Sequence, residues 1–271
     1  MSRGSRKALQ GMDLLKKPGK AQLKRWEKLR MEKYRRREGL FLAEGAKVVE
    51  ELFRSGRPLE ALLVRGEEAE RWEGILAGAP AGTGIWLLSA REWEALSQDP
   101  APEGLMAVVK VPPPVDPDLL ADGPGPLLLL HGVNNPNNLG ALLRTAHWFG
   151  FRTVLLSAGS CEAANPKAVR TSMGSLFHLT VAEGLDFEEL LPRLHGRFLI
   201  VGSEVREGVP PHPCPAATAL LLGSESHGLP ESLLAGTDER WLIFGGGGAE
   251  SLSLPQAAAI LMYECTRRLT R

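Results

Sequence analysis

The second half of the chain alternates short, unbroken apolar runs with amphipathic stretches, and this alternation restricts the available folds more than any other feature. Six runs read as strands: Leu127–Leu130, Thr153–Leu156, Leu179–Val181, Arg197–Val201, Ala219–Leu222 and Trp241–Ile243. Between and after them, helical spacing covers Leu139–Phe149, Lys167–Met173, Phe187–Leu194 and about Leu254 to Leu269. Runs that are apolar throughout, rather than at every second residue, imply strands covered on both faces, hence a parallel sheet between helices.

The first half repeats the alternation on a smaller scale. A basic helix is expected over about Lys20–Arg37, and helical spacing resumes over Phe41–Phe53, closed by Ser55-Gly56. Three strands follow at Ala61–Val64, Ile85–Leu88 and Leu105–Val109, separated by helical stretches at Glu67–Leu76 and Ala90–Leu96. This is the pattern of a small α/β domain. Val111–Pro126 holds six prolines and two glycines in sixteen residues, so it reads as a semi-rigid spacer. The expected organisation is a basic N-terminal arm and helix over 1–37, a small α/β domain over 38–110, a linker over 111–126 and a second domain over 127–271.

A net charge of zero hides an asymmetry. Residues 1–38 carry fourteen Lys and Arg against four Asp and Glu; with 32 of each in the whole chain, the remainder is acidic. A basic segment ending in Arg35-Arg36-Arg37 suits a polyanion such as RNA, through counterion release, although a solvated tail would have the same composition. Three dispersed cysteines (Cys161, Cys214, Cys265) without CxxC spacing argue against a disulfide framework or a zinc site, and no metal site is expected. No stretch approaches the roughly 20 apolar residues of a membrane helix, and the start lacks a signal peptide's apolar segment, so a cytoplasmic protein is expected.

Three strand-to-loop turns carry the candidate chemistry. The first is Asn138-Leu-Gly-Ala-Leu-Leu-Arg144-Thr-Ala, after the apolar run Leu127–Leu130 and a polar loop. Strand ends entering helices are where α/β sheets place ligands, but an Asn-capped helix with a surface Arg fits the same stretch. The second is Gly223-Ser-Glu225-Ser-His-Gly228, whose glycines permit close backbone approach and which equally serves as a plain turn. His227 within it has no metal-ligand spacing and is expected to face solvent. The third runs from Ile243 through four consecutive glycines to Ser251-Leu252-Ser253. Ser253 is placed to cap the last helix and Pro255 falls in its first turn.

Together these segments resemble the SpoU (TrmH-type) family of RNA ribose 2′-O-methyltransferases, within the SPOUT class. The matching residues are Asn138-Leu-Gly-x-x-x-Arg144-Thr-Ala, Gly223-x-Glu225-x-x-Gly228-Leu, and Ile243 followed by Ser251-Leu252. Asn165-Pro-Lys167-Ala-Val-Arg170-x-Ser172-x-Gly174-Ser175 is similar to the family's middle segment. Upstream, Phe41-Leu-Ala-Glu44-Gly45, Leu96-Ser-Gln98 and Pro102-x-Gly104-Leu resemble a ribosomal-protein-like RNA-binding domain.

The resemblance implies S-adenosylmethionine bound in a trefoil-knotted parallel-sheet domain, a homodimer, and a structured RNA substrate, rRNA in preference to tRNA. It places Arg144 at the ribose hydroxyl with Asn138, Glu225 and Ser253 in support, and Gly223, Gly228, Ile243 and Leu252 at the cofactor. An arginine pKa above about 12 makes Arg144 better suited to donating hydrogen bonds than to removing a proton. The family's Ser-Leu-Asn is Ser251-Leu252-Ser253 here, and its Ile-Pro-Met is Ile243-Phe244-Gly245. These departures leave open a catalytically silent RNA-binding relative of the same fold.

Overall fold

The computed structural model describes residues 15–115, 125–249 and 251–267. Residues 1–14 and most of the Pro-rich spacer lie outside the described residues. The chain forms two compact units: one comprises residues up to Pro112 together with Ala164–Phe177, the other Pro113–Ala163 and His178–Arg271.

In the first unit the elements are β1 (Leu15–Lys16), α1 (Lys20–Lys28), α2 (Glu32–Glu38), β2 (Leu40–Glu44), α3 (Ala46–Ser55), β3 (Leu59–Arg65), α4 (Glu73–Ala77), β4 (Gly84–Leu88), α5 (Ala90–Leu96) and β5 (Leu105–Lys110). The sheet order is β1-β4-β3-β5-β2. β5 runs antiparallel to both its neighbours, while β4 is parallel to β1 and β3.

Three sequence expectations change here. The helix expected over Phe41–Phe53 is a strand followed by a helix. All five residues of β2 are buried, and Gly45, at φ 111°, turns the chain into α3. The helical spacing of Val48, Val49 and Leu52 is real, but extending it back to Phe41 merged two elements. The basic helix over Lys20–Arg37 is two helices, broken where Met31 adopts an extended backbone (φ −104°, ψ 131°). Arg35 is buried and donates from Nη1 to the Leu29 carbonyl at 2.7 Å, satisfying an acceptor at the end of α1. It is therefore structural and not part of an RNA-facing triplet. The helix expected over Glu67–Leu76 is a short 3₁₀ turn, Gly66–Glu68, and then α4. By contrast α5 has the expected bounds, because Ser89 and Glu92 form a reciprocal capping box.

Trp26 and Leu29 of the basic segment lie in the core of this unit with Leu40, Leu63, Trp93 and Val108. From Lys20 onward the segment is thus integral to the unit. Much of its charge is internally paired: Arg25 with Glu38 (3.0 Å) and Glu60 (2.7 Å), Arg36 with Glu32 (2.6 Å), and Arg37 with Glu38 (2.7 Å). The three upstream sequence fragments meet in space. Buried Glu44 accepts from Ser97 Oγ at 2.5 Å and from the Gln98 N–H at 3.4 Å, and the Gly45 N–H donates to the Leu105 carbonyl at 2.9 Å. Burial pushes the Glu44 carboxyl above its ordinary range.

The second unit is an α/β layer structure. Its elements are β6 (Leu127–Leu130), α6 (Pro136–Trp148), β7 (Thr153–Ser157), β8 (Thr180–Leu185), α8 (Phe187–Leu194), β9 (Leu199–Glu204), β10 (Thr218–Leu222), α9 (Glu231–Leu234), β11 (Glu239–Leu242) and α10 (Leu254–Thr266), with α7 (Pro166–Thr171) falling in the first unit. The sheet order is β11-β9-β10-β6-β7-β8, and every pairing is parallel, as the continuous apolar runs imply. From β6 the chain winds one way to β8, then crosses to the other side and inserts β10 between β9 and β6. The C-terminal ends of β6 and β10 therefore flank a topological switch point, where open parallel sheets place ligands.

α7 and the turn after it pack on the first unit. Arg170 pairs with Asp99 at 2.9 Å, and Arg57 Nε donates to the Phe177 carbonyl at 2.9 Å. Phe177 stacks on Phe41, with ring centroids 6.4 Å apart. Gly174, at φ 85°, lies so close to Glu51 that a Cβ there would overlap its side chain.

Candidate functional site

Two loops meet at the switch point. The first leaves β6 at His131, whose N–H donates to the Leu222 carbonyl of β10 at 2.8 Å. It is held in place by the end of the next strand and the turn after it: Ser157 Oγ accepts from the Gly132 N–H at 2.9 Å, and Ser160 Oγ from the Val133 N–H at 3.2 Å. The loop ends where Asn135 caps α6, its side chain accepting from the Asn137 N–H at 3.0 Å, with Pro136 in the first helical position. The helix thus starts two residues before Asn138, and capping falls to Asn135. Asn138 is released for another partner.

The second loop leaves β10 at Gly223. Ser224 and Gly228 close it by exchanging backbone hydrogen bonds of 3.1 and 2.9 Å. A Cβ on Gly223 would overlap the Gly228 carbonyl, and Gly228 itself has φ 64°, so both glycines are required by the backbone. Glu225, Ser226 and His227 form the exposed tip. Asn138 Nδ2 donates to Glu225 Oε2 at 2.7 Å, joining two segments 87 residues apart. Between the loops lies a cavity of about 510 Å³, lined among others by His131, Asn134, Asn138, Glu225, His227 and Leu254. That volume falls in the range of ordinary small-molecule and nucleotide sites, roughly 300–1,000 Å³.

The structure brings together Asn138, Glu225 and Gly228 at this cavity, with Gly223 directly beneath the second loop. Ser253 is adjacent, being next to the lining residue Leu254. It stands at the N-cap of α10, yet its hydroxyl makes no capping bond. Arg144 is not part of the lining. It is exposed on α6, four residues from Trp148, which is 82% exposed, so the two share one helix face. His227 is exposed as expected, and it also lines the cavity.

The third loop, from β11 to α10, contains Ile243 and Leu252. Phe244 and Leu252 are exposed apolar side chains in it. None of Gly245, Gly246, Gly247 and Gly248 has a positive φ, and no atom lies within 4 Å of a Cβ built on any of them. The protein's own packing thus gives no steric reason for four glycines. A loop with uncovered apolar side chains and accessible backbone fits a cofactor that brings an aromatic ring and takes main-chain hydrogen bonds.

Sequence reasoning missed His131, Asn135, Ser157 and Ser160. The serines act through hydroxyls at the end of the neighbouring strand and in the turn after it, and nothing in linear spacing signals that. Asn135 was legible as an alternative cap, since it directly precedes Pro136.

Parallel-sheet topology, a ligand cavity at the switch point and glycine-dependent loops define a cofactor-using α/β enzyme class. Residues 126–263 match the model of the SpoU rRNA Methylase family and residues 20–107 that of the MRM3-like substrate binding domain. The 23S rRNA (guanosine(2553)-2′-O)-methyltransferase RlmP of Bacillus subtilis is 31% identical over 244 residues, 89% of this chain and 94% of that protein. A TrmH-family protein from Porphyromonas gingivalis superposes with a TM-score of 0.79 at 31% identity, over 93% of this chain and 99% of the other. The SpoU methyltransferase AviRb from Streptomyces viridochromogenes, in complex with AdoMet, gives 0.78 at 25% identity, again over 93% and 99%. The chain belongs to the SpoU rRNA methylase family.

Proposed function

We propose that this protein transfers a methyl group from S-adenosylmethionine to a ribose 2′-hydroxyl of ribosomal RNA. The observation that carries this reading is the Asn138–Glu225 hydrogen bond on the rim of the switch-point cavity, in a chain of this family. The 23S rRNA specificity in the name of the Bacillus subtilis relative supports rRNA as the substrate.

S-adenosylmethionine, when bound, supplies an electrophilic methyl on a sulfonium centre. What remains for the protein is in-line positioning and management of the hydroxyl proton. Glu225 fixes the Asn138 amide with its nitrogen toward the carboxylate, which leaves Oδ1 as an acceptor for the 2′-hydroxyl. Arg144 donates to the developing alkoxide or to the neighbouring phosphate. As the O–C bond forms and the S–C bond breaks, the hydroxyl proton leaves to that phosphate or to water. Ser253, whose hydroxyl is not used as a helix cap, supports the same centre. Gly223, Gly228, Ile243 and Leu252 hold the cofactor through main-chain groups and apolar contact.

The loops after β9, β10 and β11 form a trefoil knot in this reading. Its support is the insertion of β10 between β9 and β6, and the return of α10 to pack against α6. The protein acts as a homodimer through α6 and α10, whose outer face leaves Trp148 (82%), Tyr263 (50%) and Ile260 (39%) exposed. A second copy on that face would bring Arg144, which shares it, into a shared site. The first unit holds the RNA through its exposed cations, and the protein works in the cytoplasm. Among the described residues, no helix is long and apolar enough to cross a membrane.

Calorimetric titration with S-adenosylmethionine, without RNA, tests the cofactor half of this reading. Saturable micromolar binding, roughly −8 kcal/mol, is expected. No heat up to millimolar cofactor, with RNA absent or present, would contradict it.

A further inference from the structure

His131 directly follows β6 and lines the cavity, and none of the three motifs includes it. Its two ring nitrogens are in different environments. Nδ1 is sealed from solvent and has no hydrogen-bond partner. Nε2 is not sealed and also has no hydrogen-bond partner among the described residues, and the residue itself lines the cavity. The ring leans on Phe187 at the start of α8, centroids 6.1 Å apart and planes at 46°.

Burial pushes this imidazole below its ordinary range, and the charge of Glu188 only partly offsets that. The neutral ring prevails near neutral pH. Its single proton belongs on Nε2, because an unpaired N–H in an apolar wall costs more than an unpaired lone pair. His131 thus offers one N–H donor, on Nε2, at the edge of the cavity and directly after a buried strand.

We propose that His131 binds the target nucleotide, its Nε2–H donating to a carbonyl oxygen or ring nitrogen of the base as that nucleotide enters the cavity. This rests on the reading of the cavity as the target-nucleotide site. A base acceptor is favoured over a phosphate because the described lining residues include the carboxylate of Glu225 and no Lys or Arg. Within one chain the carboxylate disfavours an anionic oxygen, so the phosphate is left to Arg144, whereas a neutral acceptor meets Asn134, Asn138 and His131.

The test compares full-length wild type, His131→Gln, which keeps an N–H donor, and His131→Leu, which fills the space without one. Steady-state methyl transfer to RNA and calorimetric S-adenosylmethionine affinity are measured for each. Loss of one such hydrogen bond should lower kcat/KM of His131→Leu about tenfold, mostly through KM, with cofactor affinity within twofold of wild type. His131→Gln should recover most of the loss. Wild-type kinetics in His131→Leu would overturn the proposal. So would a His131→Gln variant as impaired as His131→Leu in kcat, because that marks a proton acceptor instead of a donor. Turnover by wild type in the same assay separates these outcomes from failure of the methyl-transfer reading itself. If His131→Leu does not fold, imidazole ¹H–¹⁵N spectra of the wild type decide. RNA should shift the His131 Nε2–H resonance, and an unmoved resonance in the RNA complex rejects the contact.

Discussion

Asn138 and Glu225, 87 residues apart in sequence, are joined by a 2.7 Å hydrogen bond from the amide to the carboxylate. Neither residue could be assigned this partner from spacing. The bond exists because β10 pairs with β6, which sets the loop after one strand against the helix entered from the other. Coupling of this kind makes the two side chains act as one unit. Asn138→Ala and Glu225→Ala should each lower kcat by about 10²-fold, and the double variant by little more than either alone. Additive losses in the double-mutant cycle would show that the contact has no part in turnover.

Arg144 is exposed on α6 in the single chain. If it donates to the reacting ribose or its phosphate, Arg144→Ala should reduce kcat by about 10²–10³-fold while cofactor affinity stays within a few-fold. Arg144→Lys should recover little, since a point charge lacks the planar fork. Retained turnover in Arg144→Ala would remove Arg144 from the chemistry.

Gly223 has no room for a side chain, because a Cβ would run into the Gly228 carbonyl. Gly223→Ala should destabilise the second unit by about 1–3 kcal/mol and abolish cofactor binding together with activity. Thermal unfolding with and without S-adenosylmethionine checks both. Unchanged cofactor stabilisation would place the cofactor elsewhere.

The basic segment cannot be tested by deleting it, because Trp26 and Leu29 belong to the core of the first unit. Trp26→Ala alone should cost about 3–5 kcal/mol. Charge-only changes at the exposed Lys20, Lys24 and Lys33 are the cleaner probe of RNA contact. Each Lys→Gln that removes a phosphate contact should reduce the slope of log K against log salt by about one. An unaltered slope in the triple variant would place the RNA on another surface.

His131 also predicts a pH dependence of stability. Its pKa is depressed in the folded state, chiefly by burial. Above the ordinary histidine pKa both states are neutral and stability is unaffected. As pH falls below that value the unfolded chain takes up a proton that the folded chain refuses, so stability declines until the folded pKa is reached. His131→Gln should lose this part of the acid-side decline in denaturant titrations across pH 4–8, about the range in which histidine titrates. Parallel curves for variant and wild type would contradict the burial argument. Raised His212, held up by the Pro213 carbonyl and by Glu239, acts with the opposite sign and is present in both proteins.

The parallel sheet was legible because its central strands β6 and β10 are short apolar runs buried on both faces, while the edge strands β8 and β11 are only partly buried; α8 and β6 begin and end where their sequence patterns do. Legibility failed where two elements abut without a polar break. Leu40–Glu44 continues into Val48 and Val49 with helical spacing, and only the positive φ of Gly45 separates strand from helix. Arg35 looked like an external cation because sequence shows charge but not direction; its guanidinium serves a helix-end carbonyl. In the site, Asn138, Glu225, Gly223 and Gly228 were legible through motif residues. His131 was not, since a histidine ending an apolar run signals neither its sealed nitrogen nor the cavity it lines.

The most direct measurement is transfer of isotopically labelled methyl from S-adenosylmethionine to unmodified 23S rRNA, followed by nuclease digestion and mass spectrometry of the nucleosides. One nucleoside carrying the label as a 2′-O-methyl group, at a single site, is the expected result, and Asn138→Ala should strongly reduce its yield. A labelled base, or no label above the level of a reaction without protein, would contradict ribose methylation by this chain.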